Sequence, residues 1–170
     1  IEMDPGMAFG TGTHETTKMC GQLIEKYVKS GDQVIDVGCG SGILSIIAAK
    51  LGASKVEAVD VDEVAVKVTR ENIQKNNVSD KVNVQKGELG SMAKFEADIV
   101  VANIIASIII DITKIVQNYL KKDGYFITSG IIRERKQEVI DNCAKYGFKL
   151  EEALEQGEWV AMVFRCQDFL

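Results

Sequence analysis

The amino-acid sequence predicts a doubly wound α/β fold, a mostly parallel sheet that ends in an antiparallel hairpin. Three observations support this prediction. Short apolar runs alternate with helical patterns along most of the 170 residues. One of these runs leads straight into a glycine cluster, which is typical of the first strand-to-helix turn in such sheets. Only the tail abandons the alternation and places two apolar segments around Gly157.

The first half of the chain alternates helices and strands in regular order. Apolar residues at helical spacing predict the helices, and short apolar runs between turn residues predict the strands. The predicted elements are a helix at 16–29, a strand at 33–37, a buried helix at 43–52, a strand at 55–60 and a helix at 63–75. Asp62 directly precedes the last of these helices, so we expect it to be the N-cap residue.

The second half continues the same pattern up to the hairpin. Strands are predicted at 81–87, 97–103 and 125–130, and a charged helix at 134–145. The helix after residue 103 is expected to stop near Gly124 and to carry an apolar stripe formed by Ile105, Ile108, Ile112, Ile115 and Tyr119. The segments FKLEEALEQ and EWVAMVFRC predict a hairpin at the sheet edge.

The length and the net charge of the chain limit the number of domains and the classes of function to be expected. A chain of 170 residues is long enough for one sizeable core, so we expect a single domain over residues 1–170. Its first residue is isoleucine, so we expect a domain cut from a longer chain. The net charge of −5 argues against a broad basic face, and direct binding of nucleic acid is not expected.

Cysteine and hydropathy patterns point to a cytoplasmic protein. The four cysteines form no CxxC pair and there is a single histidine, so neither a metal site nor a disulfide framework is expected. The longest apolar run, residues 99–110, is too short to span a bilayer, and no signal peptide is recognised. We therefore expect no association with a membrane.

The glycine cluster DVGCGSG at 36–42 indicates a cofactor site. Gly38, Gly40 and Gly42 allow the backbone to approach a ligand, and Asp60 ends the next strand, where a carboxylate can bind ribose hydroxyls. The glycine spacing departs from the dinucleotide fingerprint. S-adenosylmethionine has no phosphate and carries an ammonium group that suits Asp36 at the head of the loop. Spacing and charge together predict S-adenosylmethionine as the cofactor.

Other interpretations of this loop stay open. The glycines could form a tight turn without a ligand, and a nicotinamide-dependent oxidoreductase partly matches Gly38, Gly40 and Asp60. No obvious hydride-site acid accompanies them. Cys39 is expected to be a small packed residue and not a nucleophile, because no histidine lies near it in the sequence.

A second glycine-rich block, FGTGTHETT at 9–17, precedes the first helix without any strand before it. We expect it to be a lid whose backbone and hydroxyls, those of Thr13, Thr16 and Thr17, cover the cofactor. The alternative is helix capping, with Thr13 as the N-cap residue and Thr16 at the third helical position. His14 is expected to be solvent-facing or to begin the helix, and not to act as a catalytic base.

Asn103 ends the strand ADIVVAN, opposite the glycine loop. Its side-chain oxygen could accept a hydrogen bond from an acceptor amine, and we predict that Asn103 is both a catalytic and a cofactor-binding residue. The alternative is an asparagine that caps the next helix.

The blocks DPGMAFGTGTHETT, VIDVGCGSGILSIIAAKLGASKVEAVDVDEVAV, ADIVVANII and TSGII, taken in order, resemble the PrmA-type methyltransferases of ribosomal protein L11. The resemblance covers nearly the whole chain, and FGTGTH is its most specific block. It implies a seven-stranded class I methyltransferase domain that methylates lysine side chains and the N-terminal amine of a large-subunit ribosomal protein. It places cofactor contacts at Phe9, Thr17, Gly38, Gly40 and Asp60, and Asn103 beside the reacting centre.

Two further alternatives concern activity. The chain could bind cofactor without turnover, because family members carry an amino-terminal recognition domain that is absent here. It could also methylate another protein or a small-molecule amine. The sequence does not indicate the methylated positions or an oligomeric state.

Overall fold

The computed structural model describes residues 14–92 and 94–167. Within these ranges seven strands and five α-helices follow one another in the predicted order. They are α1 (Glu15–Tyr27), β1 (Gln33–Val37), α2 (Ile43–Lys50), β2 (Lys55–Asp60), α3 (Glu63–Lys75), β3 (Val82–Lys86), β4 (Ala97–Asn103), α4 (Ala106–Val116), β5 (Leu120–Ile132), α5 (Lys136–Lys145), β6 (Phe148–Gln156) and β7 (Trp159–Cys166). Short 3₁₀ turns at Leu89–Ser91 and Arg133–Arg135 precede β4 and α5.

The seven strands form one sheet in the order β3-β2-β1-β4-β5-β7-β6. The pairs β1–β2, β2–β3, β1–β4 and β4–β5 are parallel, and β7 is antiparallel to both β5 and β6. The chain therefore winds outward from β1 to β3 and then returns to β4 on the other side of β1. This reversal creates the crevice at the carboxyl ends of β1 and β4 where such sheets bind ligands. The predicted fold class and the terminal hairpin are confirmed.

Both faces of the sheet are covered, as its parallel strands require. Alternate residues of each strand point to opposite faces, so Val34 packs with α1 and α2, whereas Ile35 packs with α4 and α5. Phe126 and Phe164 fill the second layer, with their ring centroids 6.5 Å apart. The two layers hold the strand ends rigidly and so fix the loops that extend from them.

The predicted apolar stripe of α4 is only partly correct. Tyr119 lies in the core and Ile112 and Ile115 pack against it, but Ile105 and Ile108 are 62% and 44% exposed. The fully buried positions of the helix are Ala106, Ile109, Thr113 and Val116. Isoleucines surround much of this helix, so helical spacing alone did not distinguish the core-facing side.

The predicted start of the fifth strand is also wrong. The helix ends at Val116, and β5 already begins at Leu120, which pairs with Ala97, while Ile99 pairs with Tyr125. The residues between the two pairs form an irregularity in which Asp123 has φ +66°. The predicted α5 started two residues early, since Arg133–Arg135 forms a 3₁₀ turn.

Candidate functional site

The loop from β1 to α2 needs glycine at specific positions. Gly38 and Gly42 have φ +70° and +86°, a region that side chains rarely adopt. A Cβ on Gly38 would lie 2.7 Å from Ile104 Cγ2, and one on Gly42 would lie 2.8 Å from Thr69 Cγ2. The loop therefore packs closely against the segment after β4 on one side and against α3 on the other.

Hydrogen bonds tie this loop to the end of β2. The amides of Gly38 and Cys39 both donate to the carbonyl oxygen of Val59, at 2.8 and 3.0 Å. The amide of Gly40 donates to Asp60 Oδ2 at 3.0 Å, and the amide of Asp62 donates to Asp60 Oδ1 at 3.0 Å. A carboxylate has about four acceptor positions, so Asp60 keeps capacity for a ligand's hydroxyl groups. The structure thus brings Gly40 and Asp60 together, as their spacing in the sequence suggested.

Two buried side chains of α3 donate hydrogen bonds to carbonyl groups of the loop. Thr69 Oγ1 donates to the carbonyl oxygen of Gly40 at 2.9 Å, and Asn72 Nδ2 donates to that of Ser41 at 2.9 Å. Both residues are fully buried. Neither residue was predicted to belong to the site, although a polar residue on the buried face of an amphipathic helix is a signal that could have identified it. Asp62 does cap α3, accepting from the amide of Val64 at 2.9 Å, as predicted.

Asp36, at the head of the loop, is a buried carboxylate with one oxygen unsatisfied. Oδ2 accepts a hydrogen bond from the hydroxyl of Ser45 at 2.6 Å, while Oδ1 has no hydrogen-bond partner among the described residues. Burial raises the pKa of Asp36 to about 6, so the group is mostly ionised at pH 7. A buried anionic oxygen without a partner is costly unless a donor meets it. The ammonium group of an amino-acid-like ligand has the charge and the donors that this oxygen lacks.

Cys39 is a packed residue, as predicted. It is 6% exposed and lies in a small cluster with Ala58, Val66 and Val84. Its sulfur is 3.5 Å from Thr69 Oγ1. Burial raises the pKa of the thiol far above its ordinary value, which excludes a thiolate nucleophile at neutral pH.

His14 begins α1 and is exposed, as expected, and the alternative with Thr13 as the N-cap residue is wrong. His14 is the N-cap residue of α1, and its Nδ1 accepts the amide of Thr16 at 3.2 Å. Thr16 is therefore the second helical residue and not the third. The imidazole ring also contacts Trp159 edge-on, with centroids 5.4 Å apart, which favours histidine in this position. The predicted cofactor contacts at Phe9 and Thr13 lie outside the described residues, and Thr17 is buried in the first turn of α1.

Asn103 lies at the end of β4, beside the glycine loop. Its Nδ2 donates to Thr17 Oγ1 at 3.3 Å, which links β4 to α1. A Cβ on Gly130, which has φ +85°, would lie 3.1 Å from Asn103 Oδ1 and 2.7 Å from the carbonyl oxygen of Ile104. The capping alternative is wrong, because Ile105 is the N-cap residue of α4 and receives no side-chain cap. Within residues 14–92 and 94–167 no group donates to Asn103 Oδ1, so this oxygen can accept a hydrogen bond from an incoming donor.

The predicted residues that the structure describes therefore meet at one edge of the sheet. β1 lies between β2 and β4, so the loop with Gly38, Gly40 and Gly42 is flanked by Asp60 and by Asn103. Across residues 14–92 and 94–167 no group of three or more histidine, cysteine or acidic side chains could hold a metal ion. None of the helices within those ranges is long and apolar enough to cross a membrane.

Two surface cavities lie away from this edge. One, of about 170 Å³, is lined by Tyr27, Asp32, Asp98 and Gly124 near the amino ends of β1 and β4. The other, of about 270 Å³, lies on an outer face of β2 and β3 beside Lys55, Glu57 and Phe95. Neither contains a residue of the glycine loop, so the site is recognised by its chemistry and not by cavity size.

Comparison with known proteins decides the family. The family model described as ribosomal protein L11 methyltransferase (PrmA) matches residues 1–167. The chain belongs to this family. Two of its curated members, from Acetivibrio thermocellus and Ruminiclostridium cellulolyticum, are 66% and 62% identical to the chain over its full length. The chain covers 54% of each of them, so it spans about half the length of these PrmA relatives.

Solved structures agree with the PrmA assignment. A ribosomal protein L11 methylase from Lactobacillus delbrueckii subsp. bulgaricus has a TM-score of 0.91 and 33% identity, covering 98% of this chain and 84% of that one. An RNA methyltransferase from Salinibacter ruber, in complex with S-adenosyl-L-homocysteine, has a TM-score of 0.74 and 18% identity, covering 92% and 96%. At that identity the likeness shows the fold alone. The predicted class I methyltransferase fold is confirmed, and S-adenosylmethionine is the cofactor of this fold and family.

Proposed function

We propose that the chain is the catalytic part of an S-adenosylmethionine-dependent N-methyltransferase that acts on lysine and N-terminal amino groups of ribosomal protein L11. Membership of the PrmA family supports the substrate. The observation that carries the cofactor site is the unpartnered, buried Oδ1 of Asp36, which lies at the head of a glycine loop held against Asp60. We also propose that the reaction takes place in the cytoplasm, because its proposed substrate is a ribosomal protein.

Each binding residue is proposed to contact a different part of the cofactor. Asp60 would accept hydrogen bonds from the ribose hydroxyls, and Asp36 would face the ammonium group. The glycine backbone of residues 38–42 would form the floor below. Phe9, Thr13 and Thr17 are proposed to contact the cofactor from the side of α1. The cofactor supplies an activated methyl group on a positively charged sulfur atom.

The remaining residues prepare the acceptor. A lysine with a pKa near 10.4 is neutral in only about one molecule in a few thousand at pH 7, a penalty of roughly 4 to 5 kcal/mol. Partial burial at the site lowers the pKa of that amine and recovers part of the penalty. Asn103 Oδ1 is proposed to accept a hydrogen bond from the amine and so to orient its lone pair toward the methyl group. The proton leaves to water before transfer, and no dedicated base is needed.

A nicotinamide-dependent oxidoreductase is less well supported. A pyrophosphate group requires free amides at the glycine loop and at the start of the following helix. Here the amides of Gly38, Cys39 and Gly40 donate to Val59 and Asp60, and that of Gly42 donates to the carbonyl oxygen of Cys39. Because these amides are already engaged, the loop suits a ligand that is recognised by its shape and its positive charge and not by its phosphate groups.

Calorimetry with S-adenosylmethionine, S-adenosylhomocysteine and NAD tests the cofactor, and mass spectrometry of ribosomal protein L11 tests the reaction. Asp60→Ala is expected to weaken binding of the first two ligands about 10- to 100-fold, because it removes charge-assisted hydrogen bonds. Asp62→Ala is the matched control. It removes a carboxylate two residues away that caps α3, and should cost only about 1 kcal/mol of stability. Binding of NAD alone would refute the methyltransferase assignment, and binding without methylation would leave a cofactor-binding fragment.

A further inference from the structure

Ser45 is a buried polar residue in an otherwise apolar helix. It is the third residue of α2, whose sequence is ILSIIAAK, and it is fully buried. Its hydroxyl donates to Asp36 Oδ2 at 2.6 Å. A buried hydroxyl at this position has a cost that its hydrogen bond to Asp36 offsets.

We propose that Ser45 is a positioning residue for the amino-acid portion of the cofactor. By occupying Oδ2, it keeps the Asp36 carboxylate ionised and fixed, and it leaves Oδ1 as the oxygen that meets the ammonium group. This inference rests on the proposed function, since it requires that the ligand is S-adenosylmethionine. Ser45 itself acts through Asp36 and does not touch the reacting atoms.

Opposing effects on the pKa of Asp36 explain why the hydroxyl of Ser45 affects the charge of this carboxyl group. Burial raises the pKa of Asp36, the hydrogen bonds from Ser45 lower it, and the nearby charge of Asp60 raises it. Removing the hydroxyl therefore raises the pKa further, so that the carboxyl group is protonated at a higher pH. A protonated Asp36 no longer attracts an ammonium group.

Other titratable groups face Asp36 from the elements packed around it. Asp60 lies on β2, Cys20 on α1 and Cys39 in the loop. Burial, and then the charge of Asp36, raise the pKa of both thiols far above neutrality, so they stay protonated below pH 7.5. Any pH dependence that persists in Asp36→Asn belongs to other groups.

The affinities for two ligands distinguish a positioning role of Ser45 from a packing role. S-adenosylhomocysteine carries the amino-acid portion, whereas 5′-methylthioadenosine lacks it. At pH 6, Ser45→Ala is expected to weaken binding of S-adenosylhomocysteine about tenfold, through the loss of a hydrogen bond to a charged group, while binding of methylthioadenosine stays within about twofold of wild type. Over pH 5–7.5, below the range near 8 in which α-amino groups titrate, the midpoint of the affinity profile for S-adenosylhomocysteine moves upward. Ser45→Cys, which keeps a weaker donor, should shift it less.

Thr113→Val is the matched control, because it removes a fully buried hydroxyl that donates to Ile109 within α4, away from the loop. It should change neither profile. Equal weakening of both ligands by Ser45→Ala would assign Ser45 a packing role and overturn the inference, as would unchanged binding of S-adenosylhomocysteine. If wild type bound neither ligand, the proposed function would fail, and the inference with it.

Discussion

Replacing Asp36 by asparagine should stabilise the cofactor-free protein while it weakens cofactor binding. Burial raises the pKa of Asp36 from 3.8 to about 6. The folded state therefore binds this proton more tightly than the unfolded chain, and the free energy of unfolding falls as pH rises from about 4 to about 6. At pH 7 the ionised group costs the fold about 3 kcal/mol relative to an ordinary aspartate. Asparagine removes that charge at nearly constant volume.

The net gain is smaller than this figure, because the buried amide nitrogen of asparagine would take the place of the unpartnered Oδ1. We expect Asp36→Asn to be more stable than wild type by about 1 to 2 kcal/mol at pH 7, or roughly 3 to 6 °C in Tm. The affinity for S-adenosylhomocysteine should fall at least about tenfold. Such a trade-off between stability and binding is common where function requires a buried charge.

Urea unfolding of the ligand-free protein at pH 7 and pH 5 measures the effect. Near pH 5 the wild-type carboxyl is mostly protonated, so the advantage of asparagine should shrink or disappear. Asp111→Asn, an exposed substitution on α4, is the control and should leave stability unchanged at both values. An Asp36→Asn protein that is less stable at pH 7, or whose advantage is equal at both pH values, would refute the reasoning.

Two further substitutions test the loop and the acceptor site. Gly42→Ala forces a side chain into φ +86° and within 2.8 Å of Thr69. It should cost about 1 to 3 kcal/mol by urea unfolding. Gly31→Ala, at φ +92° with open space around its Cβ, should cost less. Equal costs would show that contact with α3 is unimportant. Asn103→Ala should lower kcat for methylation at least about tenfold, with a much smaller change in the affinity for S-adenosylhomocysteine. An unchanged kcat would remove Asn103 from the proposed mechanism.

The strands that end at the site could be predicted from the sequence because turn residues delimit them. The bounds 33–37, 55–60 and 97–103 match the structure residue for residue, since glycine, aspartate or asparagine follows or ends each apolar run. The orientation of α4 could not be predicted, because apolar residues occupy several of its faces. The irregular start of β5 was missed because Lys-Lys-Asp-Gly is also typical of a helix end.

The residues that support the site were harder to find than those that line it. Gly38 and Asp60 carry a recognisable spacing, but Ser45 and Thr69 each act through a partner that only the folded chain brings near. For Ser45 and Thr69 a tertiary contact determines the role, and the local sequence does not indicate that contact.

The hydrogen bonds of the glycine loop also determine at which stage, folding or ligand binding, the loop becomes ordered. Since its amides already donate to Val59 and Asp60, and its carbonyl groups accept from α3, conformational entropy is lost there as the chain folds and not as the ligand arrives. Ligand association therefore carries no ordering cost at the loop. The amide protons of Gly38, Cys39 and Gly40 should accordingly exchange slowly with deuterated solvent in the ligand-free protein, at rates close to those of the neighbouring strands.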